Sequence, residues 1–271
     1  MKKMLLLLAA VYAAGTLRAE SFTLALQAYT FKDRSMVETI EVAKRLGFRA
    51  IELTNVQQIG GPFKGKVTPW EMQREIRPAV KAYLDACGVK VVSYGVIGAS
   101  DEKGWREVFE FARDLGIARL LVEPRVEVLP LLDKLAQEFK IRIAIHNHGP
   151  QVNWSTSWCD PEFASAEINK RSEWVGSGAD VGHWRLAKID AAQGIRTLLK
   201  SRVFSLHFVD VDENAHPVPF GKGLSQLDTL LKEMRKANVY PDLIVEYEQW
   251  DEKTEANVKA CVDWFNAHNK E

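Results

Sequence analysis

The sequence predicts a single closed (β/α)8 barrel. Three observations point there: β-rich apolar runs alternate with amphipathic helical stretches from Ser21 onward, the unit repeats eight times, and no glycine-rich turn follows the first run. A strict βαβα order implies a parallel sheet with helices outside it. An open doubly wound sheet usually carries a glycine fingerprint after its first strand, and Ala28-Tyr29-Thr30-Phe31 has none. The 271 residues contain no Pro/Gly/Ser-rich linker, so one barrel domain over residues 20–271 accounts for the chain after a short leader.

Taken in order, strands are expected at Phe22–Tyr29, Arg49–Thr54, Lys90–Val96, Arg119–Glu123, Arg142–His146, Val175–Asp180, Val203–Val209 and Leu243–Tyr247. Helices fill the gaps. In Met36–Leu46, Val37, Ile40, Val42, Ala43 and Leu46 make one apolar stripe that stops at Gly47, and Trp105–Leu115 stops in the same way at Gly116. The longest irregular stretches, Asn55–Pro69, Pro150–Pro161 and Asp210–Gly223, all follow strands. Loops on that face build the active sites of barrels.

Residues 1–19 read as a secretory signal: Met1-Lys2-Lys3, an apolar stretch from Met4 to Ala14, then small and polar residues to Ala19. The apolar run is short for a membrane span, and no cysteine follows it to accept lipid, so the expectation is a periplasmic or secreted protein without stable membrane insertion. Removing the leader takes Lys+Arg from 36 to 33 against 36 Asp+Glu, a net charge of −3. With no basic stripe along the chain, nucleic acid is excluded as a partner. Cys87, Cys159 and Cys261 are expected on the second helix, a loop and the last helix, which are not placed to form a structural disulfide.

The chemistry concentrates late in the chain. Five of the six histidines fall between His146 and His216. Strand five ends His146-Asn147-His148-Gly149, and because side chains alternate along a strand, the two imidazoles point the same way. Strand six ends Asp180-Val181-Gly182-His183-Trp184; strand seven carries His207 and then Asp210; strand eight carries Glu246. Strands four and two add Glu123 and Glu52. Unsatisfied polar groups at the ends of apolar strands cost about 1–3 kcal/mol each, so the set needs a cation, a substrate or mutual hydrogen bonds. Imidazole and carboxylate donors without thiolate select a borderline or hard divalent ion: Mn, Co, Zn, Fe or Mg. The expected ligands are Asp180, His207 and Glu246, completed by His146 or Glu123, with His183 and Asp210 orienting them.

These motifs, together with Leu206-His207-Phe208-Val209-Asp210, Gly221-Lys222-Gly223 and Ile244-Val245-Glu246-Tyr247, resemble the xylose isomerase-like TIM barrel superfamily, in particular its sugar phosphate isomerase/epimerase group. In relatives that epimerise keto-sugars the resemblance implies a metal held by Glu, Asp, His and Glu on strands five to eight. Asp180, His207 and Glu246 match, whereas the strand-five position is His146 here. The symmetrical pair of glutamates that would move a proton across an enediolate is therefore missing.

The resemblance implies a metal-dependent sugar isomerase or epimerase acting on a sugar or keto-sugar. His146, His148 and Glu246 are the expected catalytic groups, and Glu52, His183, Trp184 and Lys222 the expected substrate contacts. Trp184, Phe220 or Trp154 would offer a stacking face, and Gly221-Lys222-Gly223 either a phosphate cradle or a plain turn. The histidine-rich strand five implies lyase or hydratase chemistry on keto-glycosides as the alternative. A non-catalytic exported sugar-binding barrel is the alternative of another class. Oligomeric state stays open, an oligomer included.

Overall fold

The computed structural model describes residues 21–67, 70, 72–149 and 156–269. The expected leader, residues 1–19, and Trp154 lie outside these. Among the described residues eight parallel strands close a barrel: β1 (Thr23–Gln27), β2 (Ala50–Leu53), β3 (Lys90–Ile97), β4 (Arg119–Val122), β5 (Arg142–Ile145), β6 (Val175–Asp180), β7 (Val203–His207) and β8 (Asp242–Val245). They follow one another around the ring in chain order, and β8 pairs with β1 to seal it. All eight expected strands are present. Their ends are trimmed most at β1, where a 3-10 turn over Ala28–Phe31 takes the chain off the sheet.

The outer ring consists of α1 (Met36–Leu46), α2 (Arg77–Ala86), α3 (Glu102–Leu115), α4 (Leu129–Phe139), α5 (Pro161–Asn169), α6 (Ala191–Leu198), α7 (Leu227–Lys236) and α8 (Thr254–His268). Local chemistry sets their ends. Ser35 and Glu38 close a reciprocal capping box at the start of α1, and Gly47 ends it in the left-handed region at φ 98°. Helix α3 starts three residues before the apolar stripe does, because Asp101 caps it by accepting from the Gly104 amide at 2.8 Å. Their apolar faces, with the outward side of the strands, form the main core.

Strand alternation explains what fills the lumen. Ala25, Ala50, Val92 and Ile244 make a buried apolar cluster separate from the main core. A Cβ placed on Gly178 would lie 2.3 Å from Leu121 Cδ1, 2.9 Å from Ala144 Cβ and 3.2 Å from Ser205 Oγ, so these residues meet inside the barrel. Two residues further along seven of the strands, the same inward positions are Gln27, Glu52, Glu123, His146, Asp180, His207 and Glu246. A floor of small and apolar side chains thus carries a polar layer at the C-terminal mouth. At the opposite end Arg119, 5% exposed, reaches across from β4 to the Phe204 carbonyl at 2.9 Å and the Asp242 carboxylate at 2.8 Å.

Loops at the mouth are longer than those at the bottom. One carries an antiparallel hairpin of Gln58–Gly60 with Phe63–Val67, and another a hairpin of Asp210–Val211 with Pro217–Val218. Cys87, Cys159 and Cys261 are buried free thiols, and Cys159 closes a short helix rather than lying in a loop. No helix among the described residues is long and apolar enough to cross a membrane.

Candidate active site and metal centre

His207, at the end of β7, is the hub of the polar layer. Its Nε2 lies 2.7 Å from Glu52 Oε1, and its Nδ1 lies 2.7 Å from Glu246 Oε2 and 3.6 Å from Asp180 Oδ2. Glu52 is fully buried and also accepts from Gln27 Nε2 at 2.6 Å and from the Ser93 hydroxyl. The carboxylate of Glu52 thus fixes which nitrogen of His207 carries the outward-facing proton or lone pair. Burial opposes a charged ring, but Glu246, Glu52 and Asp180 outweigh it and raise the His207 pKa well above the usual histidine value.

Asp180 divides its oxygens. Oδ1 accepts from the His183 amide at 2.9 Å as the cap of a short helix, Val181–Leu186, while Oδ2 faces His207. Burial would raise its pKa, yet His183, His207 and His146 hold it well below the ordinary carboxylate range. His146 stands beside it, its Nδ1 3.4 Å from the Gly178 carbonyl, and burial followed by its imidazole neighbours keeps its pKa well below normal. A neutral ring that donates through Nδ1 presents Nε2 as a ligand. One donor atom each from His146, Asp180 and His207 lie within 4.8 Å of one another, with Glu246 next to His207. Two imidazoles and two carboxylates from four consecutive strands suit a divalent cation.

The strand-five pair points as alternation requires, with His146 and His148 rings 4.7 Å apart. Between them Asn147 turns the other way and clamps β5 to β6, donating to the Asp180 carbonyl at 3.1 Å and accepting from its amide at 3.0 Å. His148 is half-buried; Glu123 Oε1 accepts its amide at 2.8 Å and Glu123 Oε2 pairs with its Nδ1. Burial disfavours charge on His148, but the Glu123 hydrogen bond and charge raise its pKa above the usual value.

Above the layer is a cavity of about 220 Å³ lined by Gln27, Tyr29, Thr54, Asn55, His146, His148, His183, Glu246 and Glu248, among others. It is smaller than the ~300–1,000 Å³ of pockets for drug-sized ligands, which fits a small polar molecule. Glu248, two residues beyond Glu246 at the exposed rim of the cavity, has its carboxyl raised to about 7 by partial desolvation, followed by the charges of Glu246 and Asp180.

Several expected roles are corrected. Glu123 has both its oxygens engaged by His148 and its side chain fully buried, which places it behind that ring rather than among the donors around His207. Glu52 does not face a substrate; it lies under His207 with no exposure. Trp184 is 1% exposed and packed against Gly194 of α6, so it offers no stacking face, and Phe220 is buried edge-on against Phe208. Lys222 is exposed and is not among the residues lining the cavity. The Gly221-Lys222-Gly223 turn is not free to cradle phosphate, since the Gly221, Gly223 and Ser225 amides donate to Asp210 at 2.8–3.0 Å. Asp210 therefore organises that loop rather than a metal ligand.

The residues overlooked in the sequence are Gln27, Ser93, Asn147 and Glu248. For Gln27 and Glu248 a signal was present: each lies two positions along a strand from an inward-facing residue. Cys159 and Cys261 have thiols pushed up to about 11 and about 12 by burial, which removes them as nucleophiles.

A family model described as xylose isomerase-like TIM barrel matches residues 40–268. The chain belongs to this family. Among solved structures, this xylose isomerase-like barrel is similar to an uncharacterised protein from Parabacteroides distasonis, at 21% identity over 91% of this chain and 98% of that one, with a TM-score of 0.74. It is similar to an L-ribulose 3-epimerase at 13% identity over 92% and 95% of the two chains, TM-score 0.70. A 3-keto-D-glucoside 4-epimerase from E. coli follows at 15% identity over 91% and 99%, TM-score 0.67. At these identities the likeness is one of fold. There is no sequence match among curated proteins.

Proposed function

We propose that this xylose isomerase-like barrel isomerises or epimerises a small sugar or keto-sugar, using one divalent ion of the Mn, Co, Zn, Fe or Mg type held by His146, Asp180, His207 and Glu246. The observation that carries this reading is the meeting of those four donors, from four successive strands, beneath a small polar cavity. Bound there, the ion would polarise a carbonyl and the adjacent hydroxyl. The chain's own groups do the proton work. His148, positioned by Glu123 and with its pKa held above the usual histidine value by that carboxylate, takes the proton next to the carbonyl, and Glu248 gives or receives one at the mouth. His183 and Gln27 line the cavity where hydroxyls would be oriented. The epimerases that share this fold support the reaction class.

Asp180→Ala is expected to lose both bound metal, read by elemental analysis, and turnover on a panel of free and oxidised sugars. Wild-type activity in that variant would dismiss the site.

A second reading, elimination or hydration at a keto-glycoside, is favoured by one feature. Glu248, with its carboxyl at about 7, is half protonated near neutrality and so can protonate a leaving group while His148 removes a proton. Mass spectrometry separates the two, because epimerisation conserves mass whereas elimination releases an aglycone or water. We further propose that residues 1–19 direct export; the mature protein recovered from cells is then expected to begin near Glu20 on N-terminal sequencing.

A further inference from the structure

Beside the first donor set lies another. One ligand nitrogen from each of His146, His148 and His183 lies within 4.8 Å of the other two, with ring centroids 4.7 Å apart for His146 and His148 and 4.9 Å for His148 and His183. Two features of this triad suit a bound cation. Glu123 commits both its oxygens to His148, leaving Nε2 as the only nitrogen of that ring open to a cation; imidazoles bound to metals are commonly held in this way. His183 Nδ1 is buried and has no hydrogen-bond partner among the described residues, although a buried ring nitrogen normally finds one.

His146 belongs to both sets. Its Nδ1 is directed at the Gly178 carbonyl, so a single lone pair, on Nε2, remains for a metal. A lone pair can serve one ion at a time. We propose that the mouth of the barrel holds two alternative cation positions that share His146: an inner one with Asp180, His207 and Glu246, and an outer one formed by His146, His148 and His183. The two differ in donor chemistry. Carboxylates in the inner position suit Mn and Mg, whereas three imidazoles with an open fourth place suit Zn in tetrahedral geometry. An ion in the outer position ties up the nitrogen with which His148 would move a proton and removes one ligand from the inner position. Outer occupancy is therefore inhibitory, a consequence that rests on the proposed inner site and proton carrier.

Cobalt(II) is the probe, because its visible absorption is intense in four-coordinate and weak in six-coordinate surroundings. Wild-type chain, stripped of metal and titrated, is expected to take one equivalent. The variant Asp180→Asn/Glu246→Gln is expected still to take one, with the intense spectrum of the outer position. His148→Gln/His183→Gln is expected to take one with the weak spectrum, and His146→Gln to bind about 100-fold more weakly than either. Circular dichroism melting checks that each variant folds, and Glu246→Gln alone replaces the first double variant if that one does not. Loss of cobalt from the folded carboxylate variant overturns the outer position and leaves the inner one standing. Two equivalents on wild type overturn the sharing of His146, and none on folded wild type overturns both positions.

Discussion

At the scale of single residues, the behaviour of the centre depends on His207 and on the acid beneath it. Its folded pKa is raised above the unfolded value near 6.5, so its ion pairs with Glu52, Asp180 and Glu246 stabilise the metal-free chain fully below that pH. This contribution is lost as pH rises through the raised value. His146 has the opposite sign: its pKa is depressed, and stability falls as pH drops below about 6.5 because the unfolded ring takes up a proton that the buried one refuses. A cation held in the proposed inner position would take the place of the proton on His207 Nδ1. Metal affinity is therefore expected to rise with pH, and calorimetry in buffers of different ionisation enthalpy should register proton release; no release would contradict the assignment. Glu52→Gln is expected to weaken metal binding by about 10–100-fold while leaving every proposed ligand in place, as measured by competition with a chromogenic chelator. For Glu248→Gln, the pH–rate profile should lose an ionisation near 7.

At the scale of elements, two connections fix the geometry of the mouth. Asn147 imitates a ladder partner, so β5 and β6 remain joined past the point where β5 ends and His146 stays beside Asp180. Asp210 gathers three amides of the loop after β7, and Gly223 is required there because a Cβ would lie 2.4 Å from Asp210 Oδ1 and 2.5 Å from the Val211 carbonyl. Asp210→Ala leaves three amides unpaired, that of Ser225 buried, and a loss on the order of 3 kcal/mol is expected in urea unfolding, with faster proteolysis between residues 212 and 224. Elements of this kind were only partly legible in the sequence. The α1 boundaries followed from Ser35, the apolar stripe and Gly47, all local signals. The engagement of Glu123 by His148, and of Asp210 by a turn eleven to fifteen residues away, depends on where side chains turn after the strand ends, which periodicity does not encode. Trp184 was misassigned for a related reason. It follows the polar strand end closely in sequence, but the helical turn begun at Asp180 rotates it into the core.

At the scale of the whole molecule, the barrel separates a floor that must be small from a layer that must be polar. This division could be read from the sequence wherever a strand alternated strictly, and that is why His146, Asp180, His207 and Glu246 were found together. It was obscured at β3, where the register shifts beside Glu52 and brings Ser93 under the site. Gly178 is the tightest point of the floor. Gly178→Ala is expected to cost about 1–3 kcal/mol by overpacking against Leu121 and Ala144, and Leu121→Ala in the same chain should recover part of that loss. Additive losses in the double variant would show that the two do not share one space. The guanidinium of Arg119, bonded to Phe204 and Asp242 at the far end, makes the barrel a blind well. Whatever enters past His183 and Glu248 must leave the same way, so a spent molecule still inside obstructs the next arrival, and product should compete directly with substrate.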